Sequence, residues 1–260
     1  MKRFKGKTAL ITGAGSGVGR QAALSFLKEG ANVVINDIDE NSLLELKRLT
    51  KKDKDKVLIL STDISNSNDV KNMLTSAIEK FVHIDYLINN AGVSMTKKMM
   101  EIENCDWDKV LDVNVKGTFD VLKSVARSMI DNKIKGAIVN IASIAGEKGR
   151  PNFLAYSASK AALISITKSA ALEFADHGIR INSVSPGTID TPMWDKVADD
   201  IIKIQGGKKE DLQKTWVEKI PLKRLAKPDD ISDVILFLCS DEARFITGQI
   251  INVCGGLSIV

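Results

Sequence analysis

Hydrophobic residues occur along the chain in short continuous runs, separated by longer amphipathic segments. Runs that do not alternate with polar residues are typical of strands covered on both faces of a sheet. The runs predict strands at Thr8–Thr12, Asn32–Asn36, Val57–Leu60, Tyr86–Asn89, Ala137–Ile141, Arg180–Val184 and Gln249–Val253. The segments between them have the apolar spacing of helices, and the first of these segments stops at Gly30, a residue suited to ending a helix.

Alternation of strands and helices predicts an α/β fold: a doubly wound parallel sheet with helices on both faces. No linker rich in Pro, Gly or Ser divides the sequence and no internal repeat is visible, so residues 1–260 are predicted to form a single domain. Ligands of such folds bind at the carboxyl ends of the strands. The residues that follow each strand are therefore the candidates for function.

The stretch 188–225 interrupts the alternation because it contains no predicted strand. It includes Gly206, Gly207, Trp194 and Trp216. Long segments of this kind inside compact domains are frequently functional, so 188–225 is predicted to be a substrate-binding lid. A surface helical excursion is the alternative.

Composition excludes several classes of protein. The 260 residues include 37 Lys and Arg against 33 Asp and Glu, and 44% are hydrophobic. The basic residues form no stripe of one sign, which argues against nucleic-acid binding. The three cysteines match no metal-ligand spacing, and no apolar run is long enough for a signal peptide core or a membrane span. We expect a cytoplasmic protein with a small-molecule substrate, no metal, and no nucleic-acid or membrane partner.

A glycine-rich segment, TGAGSGVG, follows the first strand and opens a helix. Gly13, Gly17 and Gly19 have the spacing G-x-x-x-G-x-G, with Ser16 and Val18 between them. Glycines in this position let the backbone approach a pyrophosphate, which the helix N-terminus attracts. The segment predicts dinucleotide binding.

Asp37 follows the second predicted strand. A carboxylate there accepts hydrogen bonds from an adenosine ribose and repels a 2′-phosphate. Ile38 comes next, where a phosphate-binding site would need Arg or Lys. These residues favour NAD over NADP. The alternative is that Asp37 only begins a turn with Asp39.

Two later strands also end in candidate ligand-binding residues. Asp63 and Ile64 follow the third strand and are placed to bracket an adenine, although an Asp there is equally suited to capping a helix. The fourth strand leads into Asn90, Ala91 and Gly92, small residues that permit close backbone approach to a ligand.

Ser143 follows the fifth strand, and Tyr156 and Lys160 come after it, four positions apart. Residues i and i+4 share one face of a helix. A phenol with an ordinary pKa near 10 is a poor base, but an ammonium ~4 Å away favours the phenolate by up to roughly 4 kcal/mol at an effective dielectric of 20. Tyr156 is thus a candidate proton-transfer group.

Taken together, these motifs resemble the short-chain dehydrogenase/reductase family over essentially the whole chain. The resemblance also includes Asn114, the Pro186-Gly187 pair and the closing Thr247–Gly256 segment, where Cys254 replaces a common Asp. It implies a Rossmann-type fold with a seven-stranded sheet and a nicotinamide cofactor. The catalytic set that it implies is Asn114, Ser143, Tyr156 and Lys160.

The resemblance also assigns roles. Tyr156 would exchange a proton with the substrate oxygen and Ser143 would hydrogen-bond that oxygen. Lys160 would lower the tyrosine pKa and hold the nicotinamide ribose, and Asn114 would anchor a proton-relaying water. The implied cofactor-binding residues are Gly13, Ser16, Gly17, Val18, Gly19, Asp37, Asp63, Ile64, Asn90, Ala91, Gly92, Tyr156, Lys160, Pro186, Gly187, Ile189 and Thr191. A homotetramer is implied, formed through helices near Asp108–Met129 and Ser157–Ala175.

The implied substrate pocket is partly polar and draws on Ser94, Ser143, Glu147, Asn152, Phe153 and Trp194. Such a pocket favours a small polar substrate, and the lid is similar to those of sugar-alcohol (sorbitol-type) dehydrogenases and acetoin/diacetyl reductases. The main hypothesis is an NAD-dependent interconversion of a secondary alcohol and a ketone. One alternative is an NADPH-dependent 3-oxoacyl-carrier-protein reductase. Another is a non-catalytic nucleotide-sensing protein, against which the intact catalytic set argues.

Overall fold

A seven-stranded, wholly parallel sheet forms the centre of the protein in the computed structural model. The structure describes residues 2–259, so the ends of the predicted domain, Met1 and Val260, lie outside the described residues. The strands are β1 (Thr8–Thr12), β2 (Asn32–Asp37), β3 (Val57–Ser61), β4 (Tyr86–Asn89), β5 (Ala137–Ile141), β6 (Arg180–Pro186) and β7 (Ile250–Val253). Their order across the sheet is β3-β2-β1-β4-β5-β6-β7.

Helices connect the strands. They are α1 (Gly17–Lys28), α2 (Glu40–Leu49), α3 (Ser67–Phe81), α4 (Asn104–Leu111), α5 (Thr118–Asp131), α6 (Leu154–Phe174), α7 (Pro192–Gln205), α8 (Lys209–Lys219) and α9 (Pro228–Cys239). Short helical segments lie at Lys51–Lys56, Met99–Glu101, Ile144–Gly146, Ala175–His177 and Asp241–Ala243, and a wide π-helical turn spans Asp112–Gly117. Among the described residues, no helix is long and apolar enough to cross a membrane.

Two hydrophobic cores lie on opposite faces of the sheet. On one face, α1, α2 and α9 pack through residues such as Phe26, Leu46 and Ile235. On the other, α3, α5 and α6 pack through residues such as Met73 and Val125. Successive strand residues serve the two cores in turn, which is why the strands are apolar without alternation.

Helices from the two ends of the chain pack together in the first of these cores. The glycine-rich helix α1 lies against α9, and the Gln21 side chain of α1 donates a hydrogen bond to Asp229 at the start of α9. Helix α9, made of C-terminal residues, therefore covers β5 and β6 and also packs against the first helix of the domain.

The predicted fold class is confirmed, and so are all seven strands. Differences are confined to strand ends. Pairing in register with Ser61 extends β2 to Asp37, and pairing with Val253 extends β6 to Pro186. A proline fits there because the next amide, that of Gly187, donates to the Val253 carbonyl.

Segment 188–225 contains α7 and α8, and Ile189 forms a bridge with Ala226 where the segment returns to the domain. The two helices share a small core of their own, in which the Trp194 and Trp216 rings lie 4.5 Å apart. Its position beside the sheet edge is compatible with a lid, and that role stays a prediction.

Candidate active site

A cavity of about 720 Å³ opens along the carboxyl edge of the sheet. The segments that follow β1 to β6 all contribute to its wall. One part, here called the glycine end, is lined by Gly13, Gly17, Asp37 and Asp63. The opposite part, the aromatic end, is lined by Phe153, Trp194 and Trp216. Ser143, Tyr156 and Lys160 lie in the same cavity wall.

The glycine end is formed by closely packed backbone. A Cβ atom at Gly13 would lie 2.6 Å from the Ala91 Cα, and one at Gly19 would overlap the Gly13 carbonyl oxygen. The Asn90 side chain donates hydrogen bonds to the carbonyls of Thr12 (3.1 Å) and Gly13 (2.8 Å). These bonds tie the end of β4 to the loop after β1. The loop leads into the N-terminus of α1, where free backbone N–H groups favour an anion.

Asp37 lies against this loop. Its carboxylate accepts the backbone N–H of Gly15 at 2.7 Å and that of Asp39 at 3.0 Å. These bonds fix a negative charge in the cavity wall at the end of β2. The neighbouring Ile38 side chain is 68% exposed and carries no charge that would attract a phosphate. The turn with Asp39 predicted as the alternative is thus present, and the carboxylate also faces the cavity.

Asp63 and Ile64 line the cavity as well, and Asp63 makes local hydrogen bonds. Its Oδ1 accepts the backbone N–H and the hydroxyl of Ser65 at 2.9 and 2.8 Å. Capping of α3 is done by Asn66, whose side chain accepts from the backbone of Asn68 and Asp69. Asp63 therefore does not cap α3, which was the alternative role predicted for it from the sequence.

Asn114 occupies the wide turn between α4 and α5 and is fully buried. Its side-chain oxygen accepts the Val93 N–H at 2.8 Å, and its amide donates to the Val93 carbonyl (2.9 Å) and the Ser159 hydroxyl (3.0 Å). Ser159 in turn donates to the Tyr156 carbonyl at 2.7 Å. Asn114 thus links the segment after β4 to the first turns of α6. The predicted role as a water anchor stays a prediction.

Ser143, Tyr156 and Lys160 converge where β5 meets α6. The Ser143 hydroxyl accepts the Ala145 N–H at 3.1 Å, which orients it at the strand end. The Lys160 ammonium donates to the Ile141 carbonyl at 2.7 Å and lies 5.8 Å from the centre of the Tyr156 ring. A Cβ at Gly92 would lie 3.1 Å from the Asn114 side-chain oxygen, so the glycine leaves room for that amide beside the ammonium.

Burial controls the protonation of both groups. Burial raises the pKa of Tyr156 above its ordinary value, while a hydrogen bond with Ser143 and the positive charge of Arg150 act in the opposite direction. Burial lowers the pKa of Lys160 to about 8. Sequence analysis expected the ammonium to lower the tyrosine pKa, but in this structure desolvation outweighs the nearby charges.

All the predicted cofactor residues line the cavity except Gly19, which packs behind the loop. Of the predicted substrate residues, Ser94, Ser143, Phe153 and Trp194 line it. Glu147 lies outside the lining and its exposed carboxylate accepts from Asn252 at 2.9 Å. Asn152 lies outside it too, in a turn where its carbonyl accepts from Lys97.

Sequence analysis missed two residues of the aromatic end, Arg150 and Trp216. Arg150 follows Gly149 and precedes Pro151, and this Gly-x-Pro signal marks a turn without indicating which cavity the turn faces. Trp216 was noted only as part of the lid. Cys254, the departure from the family pattern, packs near Gly187, and its thiol lies 3.3 Å from the Ser258 hydroxyl.

Comparison with known proteins identifies the family. The family described as "Enoyl-(Acyl carrier protein) reductase" matches residues 13–258. The chain belongs to the short-chain dehydrogenase/reductase family. It is thus an oxidoreductase of that family, and the predicted resemblance is confirmed.

Two curated relatives of this short-chain dehydrogenase/reductase act, by their names, on thioesters. The 3-oxoacyl-[acyl-carrier-protein] reductase FabG of Thermotoga maritima is 38% identical over 99% of this chain and 100% of the relative. The (2S)-[(R)-hydroxy(phenyl)methyl]succinyl-CoA dehydrogenase subunit BbsD of Thauera aromatica is 39% identical over 98% of both chains.

Two solved structures share the fold. An NAD⁺-bound xylitol dehydrogenase superposes with a TM-score of 0.93, at 32% identity, over 98% of this chain and all of the other. A 3-ketoacyl-(acyl-carrier-protein) reductase from Brucella melitensis, complexed with NADH, has a TM-score of 0.87 at 34% identity, over 98% of this chain and 99% of the other.

Proposed function

We propose that this short-chain dehydrogenase/reductase interconverts a 3-oxoacyl thioester and the corresponding 3-hydroxyacyl thioester with NAD(H). The observation that carries the proposal is the lining of the aromatic end. The polar residues that favoured a small hydroxylated substrate, Glu147 and Asn152, do not line the cavity. Their place is taken by an apolar wall suited to an acyl chain, made of Val93, Ala145, Phe153, Met193, Trp194, Val197 and Trp216.

The curated relatives support the same substrate class. FabG and BbsD are named for a carrier-protein thioester and a coenzyme A thioester. As the substrate we therefore prefer a 3-oxoacyl thioester, as in the reductase alternative predicted from the sequence, to a polyol.

For the cofactor we retain the NAD(H) preference. The residues fit a nicotinamide dinucleotide, because the glycine end accepts no Cβ atom at Gly13 and presents the N-terminus of α1. The fixed Asp37 carboxylate is suited to a ribose diol and unsuited to a 2′-phosphate. The NADH-complexed reductase of the same fold supports this pairing of cofactor and substrate class.

Each polar residue has a distinct proposed task. Bound nicotinamide supplies or accepts the hydride at the carbonyl carbon. Tyr156 exchanges the proton at the substrate oxygen, and Ser143 hydrogen-bonds the same oxygen. Lys160, held by the Ile141 carbonyl, contributes the positive charge beside Tyr156 and a donor for the nicotinamide ribose. Asn114 holds the segment after β4 against α6.

A panel of initial rates tests the proposal. Acetoacetyl-CoA, xylitol, sorbitol, acetoin and diacetyl would each be assayed with both NAD(H) and NADP(H). We expect the thioester with NADH to give the highest kcat/KM. Preference for a polyol would contradict the substrate class, and preference for NADPH would contradict the role of Asp37.

Oxidation of a polyol is the second candidate function. The observation that favours it is the NAD⁺-bound xylitol dehydrogenase, which has the higher TM-score of the two solved structures described above. The panel discriminates between the two functions directly.

The homotetramer also remains our proposal. The predicted pairing helices correspond to α4 and α5, separated by the wide turn, and to α6. Phe119 on α5 and Leu172 on α6 are 44% and 83% exposed, as an interface would require. Light scattering that reports a monomer at micromolar concentration would contradict the proposal.

A further inference from the structure

One cation in the aromatic end has no counter-ion. Arg150 lines the cavity and is half-buried, and within residues 2–259 no carboxylate lies at ion-pair distance from its guanidinium. Burial lowers the pKa of this arginine, which reflects the cost of removing its charge from water. A buried charge is retained at low cost only when a partner of opposite sign is present. A negatively charged group of a ligand is therefore a candidate for the missing partner.

The backbone holds Arg150 in a defined place. Arg150, Pro151, Asn152 and Phe153 form a turn closed by a hydrogen bond from the Phe153 N–H to the Arg150 carbonyl at 3.3 Å. Asn152 has a φ of 67°, in the left-handed region. Proline followed by a left-handed asparagine is the pattern of a type II turn. The turn is also anchored to the segment after β4, because the Lys97 N–H donates to the Asn152 carbonyl at 2.8 Å.

The side chain is held as well. The guanidinium carbon of Arg150 lies over the Trp216 ring, 5.8 Å from its centre. This distance is in the range of a cation–π contact, which leaves N–H groups of the guanidinium available to a ligand. Those groups match the two oxygens of a carboxylate in a bidentate pair.

The position of the charge restricts where a partner anion can lie on a substrate. The turn that begins at Arg150 ends at Phe153, the N-cap of α6, and Tyr156 lies in the first turn of that helix and lines the same cavity. An anion bound to Arg150 is therefore near the reacting oxygen. The phosphates of a thioester's pantetheine arm are separated from the acyl carbonyl by the length of that arm, and the cofactor phosphates belong to the glycine end. A carboxylate on the acyl chain itself meets the requirement.

We propose that Arg150 binds a carboxylate on the acyl part of the substrate, so that the preferred substrate is a 3-oxoacyl thioester of a dicarboxylic acid. This inference rests on the proposed function and narrows its substrate class. Arg150 acts as a specificity-determining residue; it takes no part in the transfer of the hydride or the proton.

The test uses two substrates that differ only at the distal carboxyl, 3-oxohexanedioyl-CoA, which is charged there, and its distal methyl ester, which is not. We expect the wild-type enzyme with NADH to prefer the free acid in kcat/KM by about 10- to 100-fold, the value of a charge-assisted hydrogen-bonded pair. In Arg150→Gln the kcat/KM for the free acid should fall further than that for the methyl ester, so that the ratio of the two values falls to about one. Arg150→Lys should retain part of the preference, since it keeps the charge and loses the bidentate geometry.

Arg48→Gln is the matched control. It removes the same charge from the exposed surface of α2 and should keep the full preference for the free acid. Thermal unfolding of each variant, with and without NADH, detects loss of the fold.

A second readout does not depend on turnover. Glutarate, and its uncharged dimethyl ester as control, would be titrated by calorimetry into the NADH-loaded wild type and Arg150→Gln. Glutarate binding that requires Arg150, without turnover of any thioester, would support the carboxylate site and contradict the proposed reaction. Thioester turnover without preference for the free acid, or with a preference that survives Arg150→Gln, would overturn the carboxylate site and leave the reaction standing. Absence of both turnover and binding would overturn both.

Discussion

At the glycine end of the cavity the wall is mostly backbone, whereas at the aromatic end it is made of side chains from distant segments. Gly13 and Ala91 are so close that a methyl group does not fit between them. Phe153 comes instead from the turn before α6, and Trp194 and Trp216 come from the segment 188–225. The three residues share one hydrophobic cluster, in which the two tryptophan rings are in contact. Backbone packing tolerates few substitutions, while side-chain packing changes with sequence. We expect the glycine end to determine the cofactor and the aromatic end to determine the substrate.

The largest expected effect comes from the group that lies between the two ends. Tyr156→Phe should lower kcat by about 10²- to 10⁴-fold, because the proton donor at the substrate oxygen is lost. NADH binding, measured by fluorescence titration, should change little. The matched control is Tyr86→Phe, since Tyr86 is the other of the two tyrosines and packs against Phe4 and Phe26 in the core. Unchanged turnover in Tyr156→Phe would favour a nucleotide-sensing protein.

Cofactor choice should follow the glycine end alone. Asp37→Ser combined with Ile38→Arg replaces the carboxylate with a phosphate-binding cation. It should shift the ratio of kcat/KM for NADPH over NADH by about 100-fold, the magnitude of one or two charge-assisted contacts. The ratios of kcat/KM between different substrates should stay unchanged. Asp39→Asn serves as the control because Asp39 caps α2 and does not line the cavity. An unchanged cofactor ratio would exclude Asp37 as the selector.

Replacing a glycine by alanine should change stability and NADH binding at the glycine end and leave both nearly unchanged beside the aromatic end. Gly19→Ala places a Cβ against the Gly13 carbonyl and should lower the free energy of unfolding by about 1–3 kcal/mol while weakening NADH binding. Gly149→Ala, beside Arg150, meets nothing within 4 Å and should be nearly neutral. Urea unfolding and NADH titration measure both. Equal effects in the two variants would contradict the contrast between the ends.

The smallest effect concerns stability and pH. Burial lowers the Lys160 pKa to about 8 from an ordinary 10.5, so the unfolded chain binds more protons in that interval and the Lys160 contribution to stability rises with pH there. Lys160→Met should be more stable than wild type at pH 7 by no more than about 1 kcal/mol, because the Ile141 carbonyl loses a donor, and the stability of the variant relative to wild type should decrease between pH 8 and 10.5.

Unfolding by urea at several pH values in the absence of cofactor measures this difference. Lys168→Met, an exposed change on the same helix, should show no such pH dependence. If the free energy of unfolding of Lys160→Met differs from that of wild type by the same amount at pH 7 and pH 10.5, burial does not destabilise the Lys160 ammonium.

Local sequence patterns predicted the glycine end well, because both the strands and the glycine loop are short-range features. The aromatic end was less predictable. Glu147 is near Ser143 in sequence, but the turn Ile144–Gly146 directs it to Asn252. Arg150 acquires its environment from Trp216, far along the chain. The sign of the Tyr156 pKa shift depends on burial, which the i, i+4 spacing does not report.

The packing of α1 against α9 has a consequence for synthesis on the ribosome. The glycine loop and α1 are translated well before α9, and the side of α1 that packs against α9 is covered only when residues 228–239 have been translated. A nascent chain that stops before α9 would leave that side of α1 exposed to solvent. We therefore expect the packing around α1, although this helix is translated early, to be one of the last parts of the core to be completed.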